Sequence, residues 1–503
     1  MEWLKVFMAI IANFLTVTHC KKVNFTEFRG EHLDSSEQML VKGENAAAQY
    51  CSGCHLTPSP LSMAPNTANV TLAYMGLFIG IDASRTLTHP VEKQYFQARH
   101  TFLKASHQIP ATPGISRDQW LALRNYYLSM AKSPSAERIS VRPPQSGRQH
   151  FNFNDHGITL LRAFDDDQIA IGGGVSNLLQ ISDLTGKVIR EKKFSSPPVW
   201  IEKVKNGYLV LTLGDLLGAL NPKESSELWS IGPAGDTRLM DHLLRSSHFE
   251  VVKTTSGANG ILISAFGTLG KGKFSLFTQQ PSGFREQIIS RRDSHVRSHV
   301  IECGGALCIL SLVAGAREQL ILFRDSGTGF SETVLTEYPP HFGSVWLEVA
   351  DLDGDGEDEI LVLSGDAADA GPFNEMKDDQ GLRIYNLRGN KIHLRKFLSV
   401  PGGLSMHLVK NGNKITHITI ARFYAPIESG ADLAVLVNKS GMNFERLDYR
   451  LDSRPTVLTS YRKEGNARLL IGSGNLPKGE LINGKMQYRE YAGPLLSEII
   501  LPD

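Results

Sequence analysis

From residue 149 onward the chain is a succession of strand-sized apolar runs, with nothing of helix length between them. GITLLRAF, QIAIGG, GYLVLTLG, GILISAFG, ALCILSLVAG, EQLILFRD, EILVLSG, ITHITIARF, ADLAVLV and ARLLIGSG are short and largely β-branched, and they are bounded by Gly or Asp-Gly. Without crossover helices a parallel βαβ sheet cannot form, which excludes a TIM barrel and a doubly wound fold. The runs recur in units beginning near 157, 205, 256, 298, 346, 406 and 457, a spacing of about 40 to 60 residues that matches a propeller blade. One blade cannot bury both faces of its small sheet, so neighbours stack and the ring closes. Residues 149–503 are therefore expected to form an all-β, seven-bladed β-propeller.

The composition agrees with a folded chain. Hydrophobic residues make up 41% and charged residues 21% of 503 positions, enough apolar material for a large core. Lys+Arg at 53 against Asp+Glu at 52 gives no basic excess, so no nucleic-acid partner is implied. Five cysteines are too few for a disulfide scaffold, and their positions matter more than their number.

The first twenty residues, MEWLKVFMAIIANFLTVTHC, carry a basic Lys5 and an apolar run from Val6 to Val17. That pattern suits a secretory signal over residues 1–20. Cys20 directly follows the apolar core, as the lipid-acceptor cysteine of a bacterial lipoprotein does, although His19 is awkward at a cleavage position. Lipidation at Cys20 would hold an exported protein at a membrane surface by acyl chains, in the periplasm or on the cell surface. Simple secretion is the alternative.

Tyr50-Cys-Ser-Gly-Cys-His55 is the c-type heme attachment pattern. Cys51 and Cys54 can each add to a heme vinyl group, and His55 then falls under the porphyrin as proximal iron ligand. The helix-forming Ala46-Ala47-Ala48 precedes the motif, and Pro58 and Pro60 end the helix after it. Met75, with Gly76 beside it, is the expected sixth ligand; Met63, Met130, His89, His100 and His107 remain open. Residues 117–131, capped by Ser116 with Gln119, repeat Trp120, Leu123, Tyr127 and Met130 at helical spacing. Residues 21–133 are thus expected to form a small all-α cytochrome c-like domain carrying heme c. The proline-bearing stretch 134–148 reads as a linker.

In one blade, Asp351-Leu-Asp-Gly-Asp-Gly-Glu-Asp-Glu359 has oxygen-ligand spacing for Ca²⁺. Asp351, Asp353 and Asp355 supply alternate carboxylates, Glu357 a carbonyl, and Glu359 the ninth position. An apolar strand follows at once, so the loop is a calcium hairpin rather than an EF-hand. Cys303 and Cys308 flank Gly304-Gly305-Ala-Leu and could form a disulfide, although with a Gly-Gly turn Cys303 faces Ala306.

These pieces together resemble a bacterial group that joins an N-terminal cytochrome c-like segment to an FG-GAP/VCBS-repeat β-propeller, often as a lipoprotein. The resemblance rests on Tyr50–Pro60, Tyr74–Gly80, Trp120 with Tyr126-Tyr127, Tyr338–Ser344, Ala350–Gly356, Gly365–Asp369 and Ala492–Leu496. Most of the other blade loops lack the carboxylates of the group's pattern, so one calcium site is expected. The group's placement of its heme methionine agrees with Met75.

The function expected from this reading is an exported c-type heme protein in electron transfer or redox sensing. The propeller would dock a protein redox partner or surface ligand. One alternative makes the calcium-braced propeller a surface binding scaffold. Another is a heme-coupled dehydrogenase, for which Trp200, Trp229, Trp346, Asp215, Asp236 and His242 are available without a spacing that brings them together.

Overall fold

The computed structural model describes residues 36–502 except 53–56, 58, 64, 88–89, 106–108, 133–139, 144–150, 166, 215–225, 256, 268–271, 316, 340–341, 366–378, 426–429, 475–477, 483–484 and 490–492. From Ile158 the chain builds seven antiparallel sheets in succession, and in all but the last the strands contributed from there on form a meander adjacent in sequence. The first strands of the blades are Ile158–Phe164, Pro198–Val204, Ser246–Lys253, His295–Cys303, Ser344–Ala350, Ser405–Asn411 and Arg454–Lys463. Each touches the first strand of the next blade, and the seventh touches the first, so they form the inner wall of a closed ring. This is a seven-bladed β-propeller.

Within a blade, position in the sheet dictates composition. A second strand has neighbouring blades over both faces, so Ala306–Val313 (ALCILSLV) and Glu359–Ser364 (EILVLS) are buried almost throughout. The fourth strand is at the rim and reads polar, as in Val188–Lys193 (VIREKK). Apolar clusters lie between blades: Leu310 and Leu322 of the fourth pack with Leu347 and Val362 of the fifth.

The last blade is built from Arg454–Lys463, Asn466–Gly474 and Leu496–Ile500, with a separate hairpin, Lys478–Ile482 and Lys485–Arg489, set between the last two in sequence. It meets the first blade through side-chain hydrogen bonds. Thr456 Oγ1 donates to the Ile158 carbonyl (2.7 Å), and the Ala163 amide donates to Thr459 Oγ1 (2.9 Å). Phe151 and Phe153 pack into this junction with Leu161, Tyr461 and Leu470. The stretch expected as a linker also contributes structure: Val141–Arg142 adds a parallel fifth strand to the sixth blade, Val141 opposite Asp448 and Arg142 opposite Tyr449.

Ahead of the propeller, helices Glu37–Tyr50, Pro65–Phe78, Pro90–Ala105 and Arg117–Met130 surround an apolar core. The first and last cross closely at Gly43. A Cβ there would stand 2.3 Å from the Ala122 carbonyl oxygen, so only glycine admits the crossing. Ser116 caps the last helix in a capping box with Gln119.

The expected fold class is corrected in this half. No cytochrome c-like all-α domain is seen among the described residues. Their first helix begins at Glu37, and residues 1–35, with the signal segment and Cys20, lie outside them. The interior of the helical segment is taken up by its own side chains, Leu77, Ile81, Leu87, Trp120 and Tyr127 being almost wholly buried. The sequence signals used (an alanine run, an aromatic stripe and a CxxCH motif) specify helices and local chemistry. None of them specifies how helices close around a porphyrin.

Candidate functional site

The inner strands bring a set of polar and aromatic side chains to the propeller axis. In six blades the register shifts within the first residues of that strand; the shift lies between Pro198 and Trp200, Ser246 and His248, His295 and Arg297, and Ser344 and Trp346 in four of them. Such bulges re-aim the side chains that follow. Trp200, His248, Arg297 and Trp346 occupy the position after the bulge, and Glu202, Glu250, His299 and Glu348 the position two residues on.

Arg297 is at the centre. Its guanidinium lies 4.3 Å from the Trp200 ring centre and 4.1 Å from that of Trp346, a cation held between two indoles. It donates to Glu348 Oε1 at 2.7 Å, and Trp346 Nε1 donates to the same oxygen at 2.9 Å. His299 Nε2 stands 3.5 Å from the other carboxylate oxygen. His248 meets Trp200 edge-on at 4.6 Å. Arg162 also lies over the Trp200 ring, at 5.4 Å, and touches Glu202 at 3.4 Å. His407 Nε2 and Ser460 Oγ are 2.8 Å apart.

Burial and charge set the protonation of this cluster. Burial, then Arg297, holds the His248 imidazole well below its ordinary range. His299 and His407 are each pushed down to about 4, chiefly by burial, with Arg297 and Arg162 adding to it. All three are neutral at pH 7. Burial works against ionisation of Glu348, but Arg297, His299 and the Trp346 N–H outweigh it and hold the carboxyl below the usual range. Glu250 accepts only the Val300 amide (3.0 Å) as a hydrogen bond, and burial raises it to about 7. Between Arg162, Trp200, Arg297, Trp346, Glu348 and His407 there is a cavity of about 60 Å³. That is room for roughly four waters.

Sequence reasoning named Trp200 and Trp346 without bringing them together; their ring centres are 6.4 Å apart across the axis. Trp229 is elsewhere, its Nε1 donating to Glu227 at 3.0 Å. Asp236 is paired with Arg190 and Lys192. Asp215 lies outside the described residues. Arg297 and the three axial histidines were missed.

Cys51 forms the C-terminal cap of the Glu37–Tyr50 helix, its amide donating to Ala47 O at 2.9 Å. It is half-buried against the core that contains Met63, Trp120 and Tyr127. Tyr50 next to it donates to Gln119 Oε1 at 3.0 Å, which ties this helix end to the last helix. Burial, then Cys51 and Tyr126, pushes the Tyr127 phenol well up, so it stays neutral. Cys54 and His55 lie outside the described residues. Met75 is half-buried in the Pro65–Phe78 helix and is not part of the core that Cys51 touches, whereas Met63 is. At Gly76 a Cβ would meet Trp120 Cη2 and the Ile81 carbonyl at 3.1 Å, so the missing side chain makes room for the indole.

In the acidic hairpin, the carboxylates of Asp351, Asp353 and Glu359 converge to within 4.8 Å of one another. Asp351 Oδ1 and Oδ2 accept the Gly354 and Gly356 amides at 2.6 and 3.0 Å, and these bonds shape the turn. Glu359 is fully buried; one oxygen accepts the Leu352 amide at 2.9 Å and the other accepts no hydrogen bond. Burial, with Asp353 and Asp355, pushes it up to about 7. Asp355 and Glu357 are exposed. From the fourth strand of the same blade, Lys391–Ser399, Arg395 reaches Asp353 at 3.4 Å and Glu359 at 3.8 Å. Cys303 and Cys308 are disulfide-bonded with Cα atoms 5.9 Å apart. Cys303 does pair with Ala306, as the turn demands; Cys308 is its diagonal neighbour on the same face.

No family model matches the chain, and no curated protein does. Neither comparison therefore supports FG-GAP/VCBS repeats or a cytochrome c-like segment. Solved propellers are similar in structure. BBS1N in complex with ARL6DN has 13% identity and a TM-score of 0.43, covering 72% of this chain and 98% of that one. The periplasmic gluconolactonase PpgL of Pseudomonas aeruginosa has 13% identity and a TM-score of 0.40, covering 65% and 97%. Virginiamycin B lyase of Staphylococcus aureus has 13% identity and a TM-score of 0.41, covering 64% and 94%. At these scores the likenesses carry no argument about activity. Among the described residues no helix is long and apolar enough to cross a membrane.

Proposed function

We propose that this is an exported c-type heme protein that transfers electrons or senses redox state, with the propeller docking its partner. The observation that carries the reading is the placement of Cys51. It stands at a helix end, half-buried on an apolar core, where the Tyr50–Gln119 bond fixes the backbone. Cys54 and His55 follow at the spacing that two thioether bonds and an axial imidazole need. The donor set suits heme, and the same core contains the Trp120 indole N–H, buried without a hydrogen-bond partner among the described residues. That donor suits a group that brings acceptor oxygens, as heme propionates do.

When bound, the heme supplies a one-electron couple. Cys51, Cys54 and His55 would hold it, and the Gly43 crossing holds the attachment helix in place. Ca²⁺ in the Asp351–Glu359 hairpin is proposed as a structural ion that offsets the converging carboxylates, and a lipid on Cys20 as the membrane anchor of an exported protein.

The test is export of the full chain in a host competent for heme c maturation. Covalently bound heme with a reversible reduced-minus-oxidised spectrum is expected, lost in Cys51→Ala and Cys54→Ala. Correctly exported, colourless wild-type protein overturns the reading.

A further inference from the structure

We propose that the axial cavity of the propeller is a binding site for a small oxygen anion, a monocarboxylate of the size of acetate or formate. N–H donors outnumber acceptors in the lining of this cavity. Two guanidiniums line it, Arg162 and Arg297, with one carboxylate, Glu348; Glu202 on Arg162 and Glu250 facing Arg297 stand outside the lining. Glu348 is already engaged by Arg297, by the Trp346 N–H and by His299. Arg162, from the first blade, makes a long 3.4 Å contact to Glu202 and lies over the Trp200 ring at 5.4 Å. Among the described residues, the buried Trp200 Nε1–H has no hydrogen-bond partner. A buried N–H without an acceptor is costly, and cationic donors in a partly dry site favour a charged oxygen.

Size narrows the class. About 60 Å³ excludes a sugar or a nucleotide and suits three or four heavy atoms. A planar carboxylate would place one oxygen toward Arg162 and the other toward the Trp200 N–H. The site draws on several blades, so its occupancy reports on the closed ring. It shares no residue with the heme motif or the calcium hairpin.

The experiment is titration of the purified full-length protein with sodium acetate and sodium formate, the ionic strength held constant with sodium chloride. Tryptophan fluorescence and calorimetry are read together. Saturable binding with a fluorescence change is expected, since Trp200 and Trp346 line the site. Arg162→Met should weaken it about ten- to hundredfold, the size of one lost charge-assisted hydrogen bond. Trp200→Phe keeps a ring but loses the N–H and should weaken it about three- to tenfold. Arg162 has a side chain 40% exposed, so its replacement leaves the fold intact, which circular dichroism verifies. A response that never saturates overturns the proposal, as does equal binding of tetramethylammonium. Unchanged affinity in either folded variant does the same.

Discussion

Replacing Arg297 by Met removes the cation at the centre of the axial cluster and tests how the ring tolerates an unpaired charge. The Arg297 side chain is 5% exposed and that of Glu348 18%, so neither group can exchange its partner for bulk water. Breaking a buried pair by deleting one member costs about 3–5 kcal/mol, because the remaining charge is left uncompensated. Glu348 retains the Trp346 N–H and the nearby His299 edge, which puts the expected loss near the lower end, about 3 kcal/mol. The loss should depend on pH. In the wild type the folded carboxyl titrates below its unfolded value, so its contribution is present above the unfolded pKa and fades as pH falls through the folded one. Without Arg297, burial dominates and the folded pKa rises above the unfolded one. The penalty is then absent below the unfolded pKa and grows as pH rises through the folded value. Urea midpoints read by tryptophan fluorescence at pH 5 and pH 8 should separate the variant from wild type more at pH 8. Arg297→Met with Glu348→Gln should recover most of the difference. A single-variant loss under about 1 kcal/mol at pH 8, or a larger loss at pH 5, refutes the picture of a desolvated pair.

Glu250 gives an independent pH signature: burial raises its folded pKa to about 7, so it destabilises the fold progressively as pH climbs from about 4.5 toward 7. Glu250→Gln should flatten that part of the stability–pH curve, and an unchanged slope would count against the assignment. Adding Ca²⁺ to chelator-treated protein should raise the thermal midpoint by several degrees, and Asp351→Asn with Asp353→Asn should abolish the rise. Arg395→Ala should strengthen the calcium effect by removing a competing cation, whereas a weaker effect would show that Arg395 supports the loop. In heme-loaded protein, Met63→Ala and Met75→Ala discriminate the sixth ligand: the optical band of a thioether-ligated iron should vanish in only one, and its persistence in both would exclude these two methionines.

The propeller was legible because its second strands are unbroken apolar runs, and those runs were counted correctly. Two expected unit starts, near 205 and 256, fall close to second strands Gly207–Thr212 and Asn259–Ala265 rather than inner ones, since the inner strands mix apolar with polar residues. That mixture is the axial cluster. Trp200–Glu202, His248–Glu250, Arg297–His299 and Trp346–Glu348 share one spacing, and aligning the blades on it would have found the site. A single blade read alone offers only an alternating strand, and the bulge ahead of each pair conceals which face turns inward. The disulfide is hard to read from sequence for a related reason: a two-residue turn fixes direct partners, while the bond between Cys303 and Cys308 runs diagonally. At the other end of the chain, helical periodicity located helices, but packing between them depends on small residues at Gly43 and Gly76, whose contacts are distant in sequence.

The short strand Val141–Arg142 gives the polypeptide a clasp. It is fastened to the sixth blade, and the same chain seats Phe151 and Phe153 at the junction of the seventh blade with the first before the first blade begins. The joint where start and finish meet without sharing a strand is thus approached by a backbone already anchored one blade away. A propeller trimmed to begin at 149 would keep every blade and lose the buckle, leaving the rim of Asn443–Tyr449 without its fifth strand.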